Sequence, residues 1–275
     1  MGSHARSRNR LLQSLTEAEA HRLWPLLELV PLVARRVIQY PMLPIRHVFF
    51  IERGLVSTLA KVGPGRPVEA GLAGREGMVG LPVLLGASVS LHTSIIQLAG
   101  TAYRIEAAAF CNAISQMGNF RSLLLRYAHS AWVESSQSAA CNLRHTLNQR
   151  LARWLLAARE KCGDDRLPFS NESLSHILGV RRASVSQCIS FFEHRGALRK
   201  TGRAIEICDP ERLSAFSCGC QRLLGAVQRP LLLRAGGLFQ SACAQSCDGI
   251  ENRGWDEIDA PPGPESVSPW GARAG

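Results

Sequence analysis

The stretch 170–202 constrains the fold most strongly, because it contains two short helical patterns separated by a turn. The first pattern follows a short polar side chain, Ser170 or Asn171, whose oxygen can accept a hydrogen bond from a free first-turn N–H. Gly179 ends it, since glycine readily adopts the left-handed conformation found after helices. The second pattern, 182–194, gathers apolar side chains on one face: Val185, Cys188, Ile189 and Phe192. Together they predict a helix-turn-helix, whose second helix enters the major groove of DNA.

A basic hairpin is predicted directly after the second helix. Residues 197–207 form two short runs around Thr201-Gly202, a dipeptide that favours a tight turn. Asp209 then begins one more short helix, with Leu213 facing inward. A hairpin at this position is a wing, which argues against the alternative of an ordinary helical hairpin inside a globular core.

Several motifs in this region carry a family resemblance: Gly179-Val180-Arg181-Arg182, Ser184-Val185-Ser186, Glu193, Gly196, Leu198, Ile205-Glu206-Ile207 and Asp209. Residues 167–216, which contain them, resemble the winged helix-turn-helix of the Crp/Fnr family of bacterial transcription regulators. The resemblance extends over roughly residues 11–224. It implies an α+β chain with an N-terminal β-roll or jelly-roll sensor domain, a long central dimerisation helix and a C-terminal winged helix-turn-helix.

The N-terminal half has the pattern that such a β-roll requires. Thr16 and Glu19 have the spacing of a capping box for a helix within 11–29. Short apolar runs then predict strands at 47–51, 55–62, 68–72, 92–98 and 102–105, with a turn at Glu52-Arg53-Gly54. The phrase 74–82 is similar to the loop-bearing segment of the family's cyclic-nucleotide-binding-type roll.

No cofactor is predicted for this roll. Cyclic-AMP receptor relatives place a glutamate a few residues after a glycine and then an Arg-Ser or Arg-Thr pair, which hold the ribose and the phosphate. Here residues 80–86 contain no acid and residues 90–94 contain no arginine, which argues against a cyclic nucleotide. The first cysteine is Cys111, which argues against the N-terminal iron–sulfur cluster of other members. His92 is the only strand histidine suited to haem, and a lone histidine is a weak signal.

A long helical stretch, 118–162, follows the roll. Its apolar residues have a roughly heptad spacing: Phe120, Leu123, Leu124, Tyr127, Ala131 and Val133. In the family such a helix pairs with its twin, and packing on the chain's own roll is the alternative. Because a palindromic site needs two recognition helices ~34 Å apart, we predict a homodimer, with a hinge at Cys141-Asn142.

Seven side chains are predicted to contact double-stranded DNA: Arg181, Arg182, Ser184, Ser186, Gln187, Lys200 and Arg203. Arg182 can make a bidentate contact to guanine and matches the family's base-reading arginine. Ser184 matches a phosphate-contacting position, and Arg181 could serve phosphate or base. The family's commonest pattern has arginine at the position of Gln187, so the DNA sequence is not predicted. Lys200 and Arg203 on the wing meet phosphates or are solvated surface charges.

Composition and segment order complete these expectations. A formal net charge of +10 over 275 residues favours a polyanionic partner. No apolar run is long enough to span a bilayer and no signal-peptide core occurs, so a cytoplasmic protein without a membrane partner is predicted. RNA polymerase is the expected protein partner. The predicted segments are a flexible N-terminus (1–10), the roll (11–117), the dimerisation helix (118–141), the DNA-binding domain (142–224) and a disordered tail (225–275).

Two other functions remain open from the sequence. A thiol- or metal-dependent redox sensor could use Cys218, Cys220, Cys243 and Cys247, although their spacing is not typical of zinc sites. A nucleotide-binding signalling module without DNA binding is the second. No nucleophile elbow or metal-binding helix occurs in the sequence, so no enzymatic activity is predicted.

Overall fold

The computed structural model of the chain describes residues 7–63, 67–220 and 224, which all belong to one compact unit, 1–233. The predicted tail 225–275, including Cys243 and Cys247, lies outside the described residues, as do residues 1–6 of the predicted N-terminal segment. Over the described part of the chain, no helix is both long and apolar enough to cross a membrane.

Two short helices, α1 (Arg10–Gln13) and α2 (Glu17–Leu23), precede the sheet. The capping box predicted for α2 is confirmed, because the Thr16 side chain accepts from the Glu19 N–H and the Glu19 carboxylate accepts from the Thr16 N–H. A 3-10 turn, Trp24–Leu26, leads into the first strand.

The N-terminal domain is built on a six-stranded antiparallel sheet. Its strands are β1 (Glu28–Leu32), β2 (Val37–Gln39), β3 (His47–Ala60), β4 (Val68–Ala73), β5 (Met78–Val79) and β6 (Thr93–Glu106). The order is β1-β6-β3-β4, with β2 paired to β6 and β5 paired to β3. Helix α3 (Leu81–Leu84) follows β5, and α4 (Ala107–Ser115) follows β6.

The turn predicted at Glu52-Arg53-Gly54 is wrong, because β3 runs through it. Likewise β6 is one strand rather than the predicted two. β3 and β6 stay paired through this region because their register shifts between Ile51 and Val56, as in a β-bulge, which accommodates the residues that have no partner. Gly54 has φ +96°, and a Cβ on Gly100 would lie 2.1 Å from the Arg53 carbonyl oxygen. Glycines at these positions permit the close approach of the two backbones.

Helix α5 (Gly118–Arg144) packs its first half onto the roll. Phe120, Leu123, Leu124 and Tyr127 are buried in the same apolar cluster as Phe50. Four of the six side chains predicted to pair two helices therefore face the chain's own roll, as in the alternative packing.

The hinge predicted at Cys141-Asn142 is wrong by a few residues, since α5 continues to Arg144. The chain breaks at His145, which is extended (φ −107°, ψ 148°). Thr146 then forms a capping box with Gln149 and begins α6 (Leu147–Cys162).

The C-terminal domain has the predicted winged helix-turn-helix. After α6 come β7 (Arg166–Leu167), α7 (Asn171–Leu178), α8 (Arg182–His194), β8 (Leu198–Thr201), β9 (Ala204–Ile207) and α9 (Pro210–Ala215). The Ser170 side chain caps α7 by accepting from the Ser173 N–H, and Gly179 ends it with φ +66°. With the roll and the long helix, this confirms the predicted α+β class.

Candidate nucleic-acid interface

Helix α8 turns a polar face outward at the surface of the C-terminal domain. Its apolar side chains are buried in the core as the periodicity predicts: Val185, Cys188, Ile189 and Phe192. Arg181 at the helix start and Arg182 in its first turn are exposed, and Gln187 is exposed one turn further along. The first two turns of α8 therefore offer two guanidinium groups and one amide to solvent.

The two predicted serines are less accessible than these three residues. Ser184 is half-buried. The half-buried Ser186 hydroxyl donates to the Arg182 carbonyl oxygen at 3.2 Å and accepts from Asn171 Nδ2 at 2.8 Å. Ser186 therefore joins α8 to α7.

The two predicted wing cations lie in different environments. Arg203 is exposed in the turn between β8 and β9. The half-buried Lys200 ammonium donates to Asn171 Oδ1, and its backbone N–H donates to a Glu193 carboxylate oxygen at 2.7 Å. Burial, with a smaller contribution from the Arg182 charge, lowers the pKa of Lys200 despite the opposing charge of Glu193.

Asn171 is the residue of this surface that the sequence did not identify as functional. One side-chain amide holds both Ser186 on the recognition helix and Lys200 on the wing. Its only sequence signal was its position near a helix start, which also fits a simple cap.

The helix-turn-helix lies against the roll. A cleft between them is lined by Val62, Pro67 and Val68 of the roll and by Arg181 and Arg182 of α8. A Cβ on Gly179, in the helix-turn-helix turn, would lie 3.2 Å from Val68 Cγ1. The start of the recognition helix is therefore in direct contact range of the β3–β4 hairpin.

A buried ion cluster joins the roll, α5 and α6. Lys161 Nζ on α6 lies 2.7 Å from a Glu76 carboxylate oxygen of the roll and 3.1 Å from one of Glu134 on α5. Burial opposes the ammonium charge, but Glu134, Glu76 and Tyr127 together outweigh it and raise the pKa of Lys161. A buried cation is thus held jointly by two other parts of the fold.

Backbone contacts of the segment 74–77 close the same junction. The Arg75 N–H donates to the Lys161 carbonyl oxygen at 3.1 Å. A Cβ on Gly74 would lie 2.6 Å from that oxygen, and one on Gly77 would lie 2.1 Å from the Tyr127 hydroxyl. The absence of a side chain at both positions permits the close approach.

A second buried carboxyl group spans the two domains. Glu69 on β4 accepts from the Ser57 hydroxyl and, at 2.6 Å, from Trp154 Nε1 on α6. Burial raises the pKa of Glu69 to about 7, and these two hydrogen bonds oppose the rise.

Beyond the roll, α5 presents an exposed stripe at alternating spacings of four and three residues. The stripe consists of Leu125, His129, Trp132, Ser136, Ala139 and Leu143. Trp132 is 67% exposed and Leu143 is 86% exposed. This spacing is that of a two-helix seam, and it is offset from the apolar residues that pack on the roll.

Comparison with known proteins agrees with this geometry. The family profile of the Crp-like helix-turn-helix domain matches residues 149–216, which include α6 to α9. No curated protein matches the chain.

Solved structures share the fold over about 70% of the chain. FixK2 from Bradyrhizobium japonicum has a TM-score of 0.61 and 15% identity, over 70% of this chain and 98% of that chain. The c-di-GMP-responsive global regulator CLP from Xanthomonas campestris has a TM-score of 0.56 and 13% identity, over 70% and 99% of the two chains. A CRP-family transcriptional regulator from Thermus thermophilus has a TM-score of 0.55 and 18% identity, over 68% and 97%. At these identities the likeness establishes the fold.

Proposed function

We propose that the chain is a DNA-binding transcription regulator of the Crp/Fnr type that reads duplex DNA as a homodimer, because it carries a Crp-like helix-turn-helix domain and shares its fold with Crp/Fnr regulators. The observation that carries the proposal is the exposed polar face at the start of α8, directly opposite its buried apolar face. A helix in this arrangement can enter the major groove without unfolding any part of its domain.

Each of the seven residues predicted to contact DNA has a distinct role in the proposal. Arg182 reads guanine through its O6 and N7 atoms, and Gln187 favours adenine. Arg181 and Arg203 neutralise phosphates, and Ser184 adds a phosphate contact from the first turn. Ser186 and Lys200 act mainly by fixing α8 and the wing through Asn171, because their polar atoms already have partners within the domain.

The exposed stripe on α5 supports the homodimer. From Leu125 to Leu143 it extends about 27 Å at 1.5 Å per residue. Two copies packed along it would cover Trp132 and Leu143, whose large apolar surfaces are exposed to water in a monomer. The two-fold axis of this dimer relates the two α8 helices, so that each can bind one half-site of a palindromic DNA site.

The contacts between the domains support control of the DNA-binding domain by the roll. Lys161 and Trp154 on α6 bind Glu76 and Glu69 of the roll, and the β3–β4 hairpin borders the start of α8. A change in the roll therefore reaches the recognition helix through direct contacts. A cytoplasmic location and contact with RNA polymerase stay predictions.

The test is a mobility-shift titration on DNA sites selected in vitro by the purified protein. Arg182→Ala should weaken specific binding by about 5- to 150-fold, the equivalent of ~1–3 kcal/mol, and relax the preference at one base position. Arg22→Ala, which removes an exposed arginine of α2, is the matched control and should bind as the parent does. Equal binding by the Arg182 variant and the parent would refute the assignment.

A further inference from the structure

Three cysteines and one histidine come together beside the break between α5 and α6. Cys141 lies in the last turns of α5, His145 is the residue that ends this helix, and Cys218 and Cys220 follow α9. One ligand atom from each residue lies within 4.8 Å of all the others. All three thiols are buried and no disulfide joins them.

The distances suit a tetrahedral metal ion. A zinc–sulfur bond of ~2.3 Å sets a sulfur–sulfur separation of about 3.8 Å along the edge of a tetrahedron. The Sγ atoms of Cys141 and Cys218 are 3.9 Å apart. The other pairs of ligand atoms are at most 4.8 Å apart, so they need to approach by about 1 Å to reach the same geometry. Side-chain rotation can supply this displacement.

One polar atom of the cluster lacks a partner, and a neighbouring amide faces two of its sulfur atoms. His145 Nδ1 is buried and has no hydrogen-bond partner among the described residues. Gln137 Nε2 points at the cluster, 3.1 Å from Cys220 Sγ and 3.8 Å from Cys141 Sγ. Buried polar atoms are rarely left unpaired, and amide donors facing sulfur are typical of the surroundings of metal-bound thiolates.

We propose that Cys141, His145, Cys218 and Cys220 bind one Zn²⁺ ion as a Cys3His site that fastens the end of α5 to the segment after α9. Three thiolates and an imidazole are a set that structural zinc sites use. On binding, each thiol that coordinates gives up its proton to solvent, so metal uptake releases up to about three protons. This set shares only Cys218 and Cys220 with the four cysteines considered from the sequence.

The site would act on the geometry of the DNA-binding domain. Two of its ligands lie at the end of α5, the helix that leads into the domain, and the other two lie in the segment that follows α9, the last helix of the domain. Zinc would therefore limit the angle between α5 and the C-terminal domain. The proposal does not depend on DNA binding, because it concerns a metal ion held by the protein alone.

The first experiment measures zinc in the purified full-length chain by atomic emission, after exchange into metal-free buffer. The parent should retain about one Zn²⁺ per chain, and Cys141→Ser or Cys218→Ser should retain less than about a tenth of that. Cys111→Ser and Cys208→Ser, which change exposed thiols elsewhere, should retain the parental amount. A parent without zinc, or a Cys141→Ser variant that keeps it, would overturn the proposal.

The second experiment does not require a ligand variant to fold. Replacing the metal of the parent with Co²⁺ should give the intense d–d absorption of a tetrahedral ion and a thiolate-to-cobalt charge-transfer band. Gln137→Ala should keep these bands but weaken metal affinity by about 10- to 100-fold, as expected for a neighbour that supports the ligands. An octahedral cobalt spectrum would overturn the proposal. So would loss of the bands on changing Cys243 and Cys247 to serine.

Discussion

Glu69→Gln should change the way stability depends on pH. The Glu69 carboxyl group is enclosed by Ser57 on β3 and Trp154 on α6, with the charges of Glu134 on α5 and Lys161 on α6 nearby. Burial is the largest influence and favours the neutral acid, while the Ser57 and Trp154 hydrogen bonds and the Lys161 charge favour the carboxylate. Glutamine keeps the size of the side chain but cannot ionise. Its Oε1 can accept from Trp154 Nε1, and its amide N–H can donate to the Ser57 hydroxyl in place of the bond that this hydroxyl donates to Glu69.

The size of the effect follows from the pKa. Folding raises the pKa of Glu69 from an ordinary value of 4.5 to about 7, so the folded chain holds this proton more tightly than the unfolded chain. The stabilisation is therefore complete below pH 4.5 and is lost as the pH rises through about 7. At 1.36 kcal/mol per pH unit, the loss amounts to about 3 kcal/mol.

Urea unfolding of the parent and of Glu69→Gln at pH 5 and pH 8 measures this loss. The free energy of unfolding of the variant, relative to the parent, should rise by about 2.5 kcal/mol between the two pH values, because a small part of the loss has already occurred at pH 5. Glu28→Gln, which alters an exposed carboxylate paired with Arg104, should shift by less than about 1 kcal/mol. A difference between parent and Glu69→Gln that is the same at both pH values, or that has the opposite sign, would refute the argument.

Three further predictions concern the ion cluster, the α5 stripe and the α7–α8 contact. Lys161→Met should lower the free energy of unfolding by about 3–5 kcal/mol in urea titrations, because Glu76 and Glu134 would stay buried without the Lys161 ammonium group. A loss below about 1 kcal/mol would contradict this. The parent should sediment as the proposed homodimer at micromolar concentration and Trp132→Glu as a monomer, and an equal mass for the two proteins would exclude the stripe as the seam. Asn171→Ala should cost about 1–3 kcal/mol of stability and weaken DNA binding in mobility shifts, since Ser186 and Lys200 lose a shared partner; parental values would show that the contact is unimportant.

The features that the sequence predicted well are those governed by neighbouring residues. The capping box at Thr16, the cap at Ser170 and the helix end at Gly179 depend on side chains within one turn. The two faces of α8 follow equally from periodicity, because the domain core lies on one side of that helix only.

The errors arose where a distant partner decides the outcome. The residues 52–54 look like a turn, but pairing with β6 keeps them in a strand. Apolar spacing on α5 could not show which apolar side chains meet the roll and which stay exposed. The ligand set of the thiol cluster was beyond sequence analysis for the same reason, since Cys141 and Cys218 meet only after the whole C-terminal domain has folded.

The two glycines of the segment 74–77 have a mechanical consequence. Where side chains separate two elements, a small displacement of one can be absorbed by a change of rotamer. At Gly74 the main chain of the roll lies directly against the Lys161 carbonyl group, and at Gly77 it lies directly against the Tyr127 ring. No side chain of the roll lies between them that could change rotamer. A movement of this loop by a fraction of an ångström should therefore displace α5 and α6, because close-packed interiors transmit strain. The control by the roll that we propose would thus need no long relay of intermediate residues between the roll and the C-terminal domain.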